Sequence, residues 1–244
     1  MLRSVVKRVV PRPLRVALRH FLENAGPIAR RAIRRYSAVT KLKCKSMNGV
    51  RVNVGCGNKP TSGWVNLDVS NHPGVMYWDC TKGLPFKNGM VDAIYSEHFF
   101  EHLDYDSEAK HFLRECLRCL KPHGTLRIVV PDAGAYLKLY AKEGWDEMAA
   151  RRPLIKENDY YRDFWLRRIY KTRMEFINAV FRQDGQHKYA YDAETLIVML
   201  QDAGFSSSCE TNYNVSSDPN MTLDAPARKT ESLYVEGRKG TSEL

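Results

Sequence analysis

From residue 50 onward, short apolar runs alternate with helical repeats. Val50 to Val54, Trp64 to Leu67, Val75 to Trp78, Val91 to Tyr95 and Leu126 to Val130 are each brief and apolar, the pattern of strands buried in a parallel sheet. Between the last two, Ala109, Phe112, Leu113, Cys116, Leu117 and Leu120 recur at i, i+3, i+4 spacing. This predicts a helix capped by Asp106 or Ser107 and stopped by Pro122 and Gly124. A second helix is predicted from Ala193, capped by Asp192, to Ala203, with Gly204 beyond it. Late strands over about Ser208 to Tyr213 and Ser232 to Glu236 complete the alternation. The expected class is α/β, a doubly wound, mostly parallel sheet with an antiparallel edge strand.

Two segments depart from this rhythm. Residues 1–46 hold thirteen Lys or Arg against the single acid Glu23, a balance of +12 in a chain whose total is +10. The remainder sums to −2, so the basicity belongs to an arm. In that arm Leu14, Leu18, Phe21, Leu22 and Ala25 fall at helical spacing beside Arg12, Arg15 and Arg19, an amphipathic helix suited to an anionic membrane surface. A loosely packed arm and an Arg-rich, acid-poor targeting segment are the alternatives.

From 141 to 190 the sequence mixes rings (Trp145, Tyr160, Tyr161, Phe164, Trp165, Tyr170, Phe176, Phe181) with arginines, and a helical lid insertion is expected. Such a lid suits a sugar or phosphosugar acceptor, although most of its rings are expected to form the lid's own core. The domain reading is an arm over 1–46 and one catalytic unit over 47–244. No run reaches the roughly 20 apolar residues of a membrane span. Six cysteines without disulfide-scaffold spacing point to a reducing compartment, and Cys116 and Cys119, inside a helical pattern, read as packing.

The stretch VRVNVGCGNKPTSGWVNLD, residues 50–68, reads as strand, glycine turn and strand ending in a carboxylate. Gly55 and Gly57 let the chain turn sharply and let a ligand approach the backbone. A dinucleotide site would want a third glycine and an acid about 20 positions further on. Pro60 stands at that glycine's place and Asp68 arrives early, which argues against NAD and for a cofactor with no pyrophosphate to cradle.

With DCTKGLPFKNGMVDAIYSEHFFEHL, residues 79–103, added, the chain resembles the class I S-adenosylmethionine-dependent methyltransferases, with their Rossmann-like sheet. It is most similar to the branch that accompanies glycosyltransferases in polysaccharide pathways. The resemblance runs from about 50 to 130 and returns at QHKYAYDAETLIVMLQDAGF, residues 186–205, roughly half the chain. It implies S-adenosylmethionine as cofactor, with Gly55, Cys56 and Gly57 beneath its methionine part and Asp68 on the ribose hydroxyls. It also implies Asp79 at the adenine amine, with Ser96, Glu97 and His98 next to the sulfonium. Asn53, where many members have an acid, and Lys59, where a glycine is frequent, depart from the pattern.

A hydroxyl acceptor calls for a base, and His98, His102, His187 and Asp132 are the candidates, His98 first because it follows a strand's carboxyl end. If Glu97 begins a helix, His98 and His102 are one turn apart with Glu101 between them, and with His187 they could converge as metal ligands. Two such histidines are also a frequent hydrogen-bonded pair, and no metal is expected. The expected activity is methyl transfer to a sugar hydroxyl of a bacterial glycan or lipid-linked oligosaccharide, in the cytoplasm and peripherally at the inner membrane. An RNA methyltransferase and a catalytically silent scaffold are the rivals. A nucleic-acid partner is disfavoured by the −2 remainder. Oligomeric state stays open.

Overall fold

The computed structural model describes residues 37–70, 72–142 and 170–241. The predicted amphipathic helix of the arm and lid residues 143–169, with Trp145, Tyr160, Tyr161, Phe164 and Trp165, lie outside them. The apolar runs form strands β1 (Val50–Val54), β2 (Val65–Asp68), β3 (Met76–Tyr77), β4 (Val91–Glu97), β5 (Leu120–Pro131), β6 (Ser207–Thr211) and β7 (Ser232–Arg238). They join one sheet in the order β3-β2-β1-β4-β5-β7-β6. Strands β3 to β5 pair in parallel, whereas β7 runs antiparallel to both β5 and β6. The order therefore reverses between β1 and β4, where an open α/β sheet leaves a crevice at the carboxyl ends of its strands.

The helices are α1 (residues 37–45), α2 (Lys110–Cys119), α3 (Ala133–Ala141), α4 (Arg173–Arg182) and α5 (Ala193–Asp202). On one sheet face Ile94, Ile128 and Val130 pack with Phe112, Leu113, Cys116 and Leu117 of α2 and Leu196, Met199 and Leu200 of α5. Burying a ring such as Phe112 stabilises by about 1.5–3 kcal/mol. On the other face Ala93, Tyr95, Val129 and Tyr234 close over Met221. Both faces of β4 and β5 are thus covered, which is why the centres of these strands are mostly apolar.

The main helix begins differently from the sequence expectation. Asp104, not Asp106 or Ser107, caps it, its Oδ1 accepting the Ser107 amide at 3.0 Å ahead of a π turn over Tyr105–Ala109. Asp106 lies outside and pairs with Lys110 at 2.8 Å. Beyond α2 the chain passes directly into β5, whose regular pairing with β4 starts at Thr125, opposite Ala93. Asp192 caps α5 as expected, accepting from the Thr195 amide.

The described part of the lid has its own small core. A capping box between Thr172 and Glu175 starts α4, which buries Phe176, Ile177 and Val180 against Tyr136 of α3, with Tyr170 and Phe181 alongside. All six thiols are free, and burial pushes the Cys119 thiol up to about 12 and Cys116 well above its ordinary value, so the pair is packing. Among the described residues no helix is long and apolar enough to cross a membrane.

Candidate active site

The turn after β1 requires its first glycine twice over. Gly55 has φ +69°, and a Cβ there would lie 2.4 Å from Phe99 Cβ. Gly57 has φ +58°, yet a Cβ there would meet nothing within 4 Å, so this part of the loop faces open space. Asp68, at the tip of β2, fixes the loop. Its Oδ2 accepts the Gly57 amide at 2.9 Å and its Oδ1 the Ser70 amide at 2.6 Å. Ser70 Oγ in turn donates to Gly57 O at 2.5 Å. Cys56 lies between the two glycines, its thiol pushed up to about 12 by burial and by Asp68.

Asn53 explains its departure from an acidic pattern. Its Nδ2 donates to Asn66 Oδ1 at 3.2 Å and Thr61 Oγ1 at 3.1 Å, and Asn66 Oδ1 also accepts the Thr61 amide at 2.8 Å. A carboxylate at position 53 would face that oxygen with no hydrogen to offer. The amide closes the loop base in its place.

Asp79, past β3, caps the short turn Cys80–Lys82, accepting from Thr81 Oγ1 at 2.7 Å and pairing with Lys82 at 2.7 Å. Burial alone would raise this carboxyl, but the Lys82 and Thr81 bonds outweigh it and hold it below the usual range. Each carboxylate oxygen has two lone pairs, so an amine can still be accepted there. Ser96, fully buried near the end of β4, has an Oγ with no hydrogen-bond partner.

Glu97 is turned elsewhere. Strand alternation places it with Tyr95, whose hydroxyl donates to Glu97 Oε2 at 2.9 Å, and the same oxygen accepts the Ala225 amide at 2.9 Å. Its contacts lead to the loop before β7 and not to the glycine turn.

The histidines do come together, though on no helix starting at Glu97. Strand β4 runs through Glu97, and the His98 amide continues its ladder by donating to Val129 O at 2.8 Å. His98 then takes φ +51°, a left-handed conformation uncommon outside glycine, and a 3-10 turn follows over Phe100–His102. This turn aims Glu101 inward.

Glu101 Oε1 lies 3.3 Å from His98 Nδ1, 3.9 Å from His187 Nε2 and 4.0 Å from His102 Nε2. The Glu101 residue is 1% exposed, and neither carboxylate oxygen has a hydrogen-bond partner. Burial pushes the carboxyl up to about 8. His98 Nε2 is 2.8 Å from Ser232 Oγ, while the His102 and His187 rings meet edge to face at 4.8 Å.

These side chains line a cavity of about 180 Å³ beyond the tips of β4 and β5, together with Tyr136, Gln183, Arg228 and Glu231. Arg228 pairs with Glu231 and lies 4.0 Å from Glu97. Asp132 is not in this lining. It caps α3, its Oδ1 accepting the Ala135 amide at 2.8 Å. A wider groove of about 650 Å³ runs along α4 past Tyr170, Met174 and Arg182, and no residue expected to be catalytic or to hold the cofactor lines it. Arg228, Glu231, Gln183 and Tyr136 carried no local sequence signal, because they arrive from the loop before β7, the end of α4 and α3.

The family described as a methyltransferase domain matches residues 67–128, from the end of β2 into β5. No curated protein matches the chain. Among solved structures, a methyltransferase dependent on S-adenosylmethionine from Archaeoglobus fulgidus is similar at 17% identity over 87% of this chain and 93% of that one, with a TM-score of 0.47. One from Thermotoga maritima is 16% identical over 97% and 98%, with a TM-score of 0.45. The 1,6-didemethyltoxoflavin-N1-methyltransferase of Burkholderia thailandensis, solved with S-adenosylhomocysteine, is 13% identical over 93% and 87%, with a TM-score of 0.43.

Residues 67–128, within a sheet of Rossmann-like order, match a methyltransferase domain, for which S-adenosylmethionine is the expected cofactor. The residues present fit that group. The space over Gly57, the carboxylate of Asp68 beside it and the partnerless Ser96 hydroxyl gather at the strand tips on either side of the crevice.

Proposed function

We propose that the protein methylates a hydroxyl oxygen of a sugar, in a bacterial glycan or a lipid-linked oligosaccharide. The observation that carries this reading is the lining of the cavity beyond β4 and β5: imidazoles, carboxylates, an amide and a guanidinium, with Tyr136 and Val180 as its larger apolar contributors. A few convergent polar groups fix orientation in a ligand site, and a polyhydroxyl ring offers a donor or acceptor to each of them.

The cofactor supplies an already activated methyl group on a sulfonium. What remains for this chain is to align the acceptor oxygen, keep water out and take up the hydroxyl proton. His98 is the residue for the last task, since its ring lies at the cavity wall, with Nε2 2.8 Å from Ser232 Oγ and Nδ1 3.3 Å from Glu101. Asp68 and the glycine turn hold the cofactor, while Gln183, Arg228 and Glu231 orient the sugar. The basic arm, residues 1–46, gives the enzyme a means of lying on an anionic inner-membrane surface where lipid-linked acceptors reside. Two carboxylates in the cavity, Glu101 and Glu231, suit RNA phosphates poorly.

The test is incubation of the full-length protein with methyl-labelled S-adenosylmethionine and three acceptor pools: nucleotide sugars, lipid-linked oligosaccharides and RNA. Label in a sugar fraction is expected, and label confined to RNA overturns the reading. His98→Ala should lower turnover by roughly 10²–10⁴ with cofactor binding retained. Unchanged turnover removes His98 as the base. Flotation with anionic liposomes should separate the full chain from one lacking residues 1–46.

A further inference from the structure

We propose that Glu101, His102 and His187 form a binding site for a divalent transition-metal ion of the zinc type, set in the wall of the acceptor cavity. One donor atom from each lies within 4.8 Å of the other two. The elements that deliver them are independent: the 3-10 turn after β4 carries Glu101 and His102, and the segment after α4 carries His187.

The hydrogen positions follow from the ring contacts. His102 Nδ1 lies 3.0 Å from Gln186 O and His187 Nδ1 lies 2.8 Å from Val180 O. A backbone carbonyl can only accept, so Nδ1 of each ring carries the hydrogen, and in the neutral imidazole Nε2 carries the lone pair. Both Nε2 atoms face the same oxygen, Glu101 Oε1, at 4.0 and 3.9 Å. Two imidazole nitrogens and one carboxyl oxygen therefore converge. A hydrogen bond would require about 2.7–3.2 Å, so the gaps are too wide for a shared proton. A cation between the three would displace the carboxyl proton and pair the carboxylate, whose oxygens otherwise make no hydrogen bond in their buried setting.

The dimensions agree. Zinc bound at about 2.0–2.1 Å in a tetrahedron holds its ligand atoms roughly 3.3 Å apart, so closing the site needs shifts of about half an ångström, within reach of small side-chain rotations. Backbone carbonyls on the far nitrogens are the outer partners that orient metal-bound imidazoles. Two imidazoles and one carboxylate favour zinc-like ions over calcium or magnesium. Three protein ligands leave a coordination position open toward the cavity, where an acceptor hydroxyl would sit. His98, 3.3 Å from the same carboxylate oxygen, steers Glu101 without being needed as a ligand.

Ion binding is read without turnover, so it succeeds or fails separately from the sugar assignment. The experiment is titration of chelator-treated, untagged full-length protein with cobalt chloride, followed by visible absorption and then by zinc displacement. One equivalent of cobalt with the bands of a low-coordinate nitrogen and oxygen site is expected. Glu101→Gln and His102→Ala should each weaken binding at least as much as the ~10–100-fold that loss of an outer partner costs, with S-adenosylmethionine binding unchanged as the sign of an intact fold. His102 is partly exposed, so its variant carries the test if Glu101→Gln does not fold. No stoichiometric uptake by the wild type, or equal uptake in the variants that fold, overturns the site.

Discussion

The two ends of the crevice are built on opposite principles. At the tips of β1 and β2 the polar groups close on one another: Asp68 holds Gly57 and Ser70, Ser70 holds Gly57, and Asn53, Asn66 and Thr61 form a ring of bonds beneath. At the tips of β4 and β5 they do not. Glu101 is buried to the same degree as core residues and accepts nothing, although three imidazoles face it.

Arg127 shows what this sequence does with a buried charge that serves only the fold. Its guanidinium bonds to Asp224, Glu236, Thr211 and the carbonyls of Asn212 and Val215, leaving no N–H unused. Against that standard Glu101 is kept open for something that binds.

The contrast can be broken by substitution. The largest effect is expected from Arg127→Leu, which strands Asp224 and Glu236 and should cost about 3–5 kcal/mol, read as a lowered thermal midpoint. Gly55→Ala comes next. The left-handed backbone costs roughly 1–2 kcal/mol and the collision with Phe99 about 1–3 kcal/mol more, so denaturant unfolding should shift accordingly. Gly57→Ala has no such collision and should lose only about 1–2 kcal/mol, while its methyl fills the space over the loop and weakens cofactor binding in calorimetry. Glu101→Gln should change stability least, within about 1 kcal/mol in either direction, because burial already disfavours the charged carboxylate and neither oxygen has a hydrogen bond to lose. A drop as large as that of Arg127→Leu would make Glu101 a structural residue and end the comparison.

Much of the cofactor half could be read from the chain, because its determinants are local. Gly55, Gly57 and Asp68 lie within fourteen residues, and their glycines announce a turn. The strands were legible since β4 and β5, covered on both faces, show as short apolar runs, Val91 to Tyr95 and Leu126 to Val130, each with a single polar residue, Asp92 and Arg127. Asp104 was passed over as a cap because Asp106 and Glu108 stand at equivalent spacing, and only the Ser107 amide distinguishes them. Glu97 was read toward the cofactor because sequence order cannot say that Tyr95 and the Ala225 amide claim its carboxylate. The acceptor half was the least legible. Glu101 acquires its meaning only when His187 arrives from 86 positions away, and Arg228 and Glu231 from further still.

Cofactor calorimetry on three full-length proteins tests the division of labour most directly. The account predicts one-site S-adenosylmethionine binding to the wild type, at least a tenfold loss in Asp68→Ala, in line with the ~1.5–3 kcal/mol of hydrogen bonds to a charged group, and no change in Glu101→Gln. Absence of binding to the wild type, or an equal loss in both variants, would contradict it.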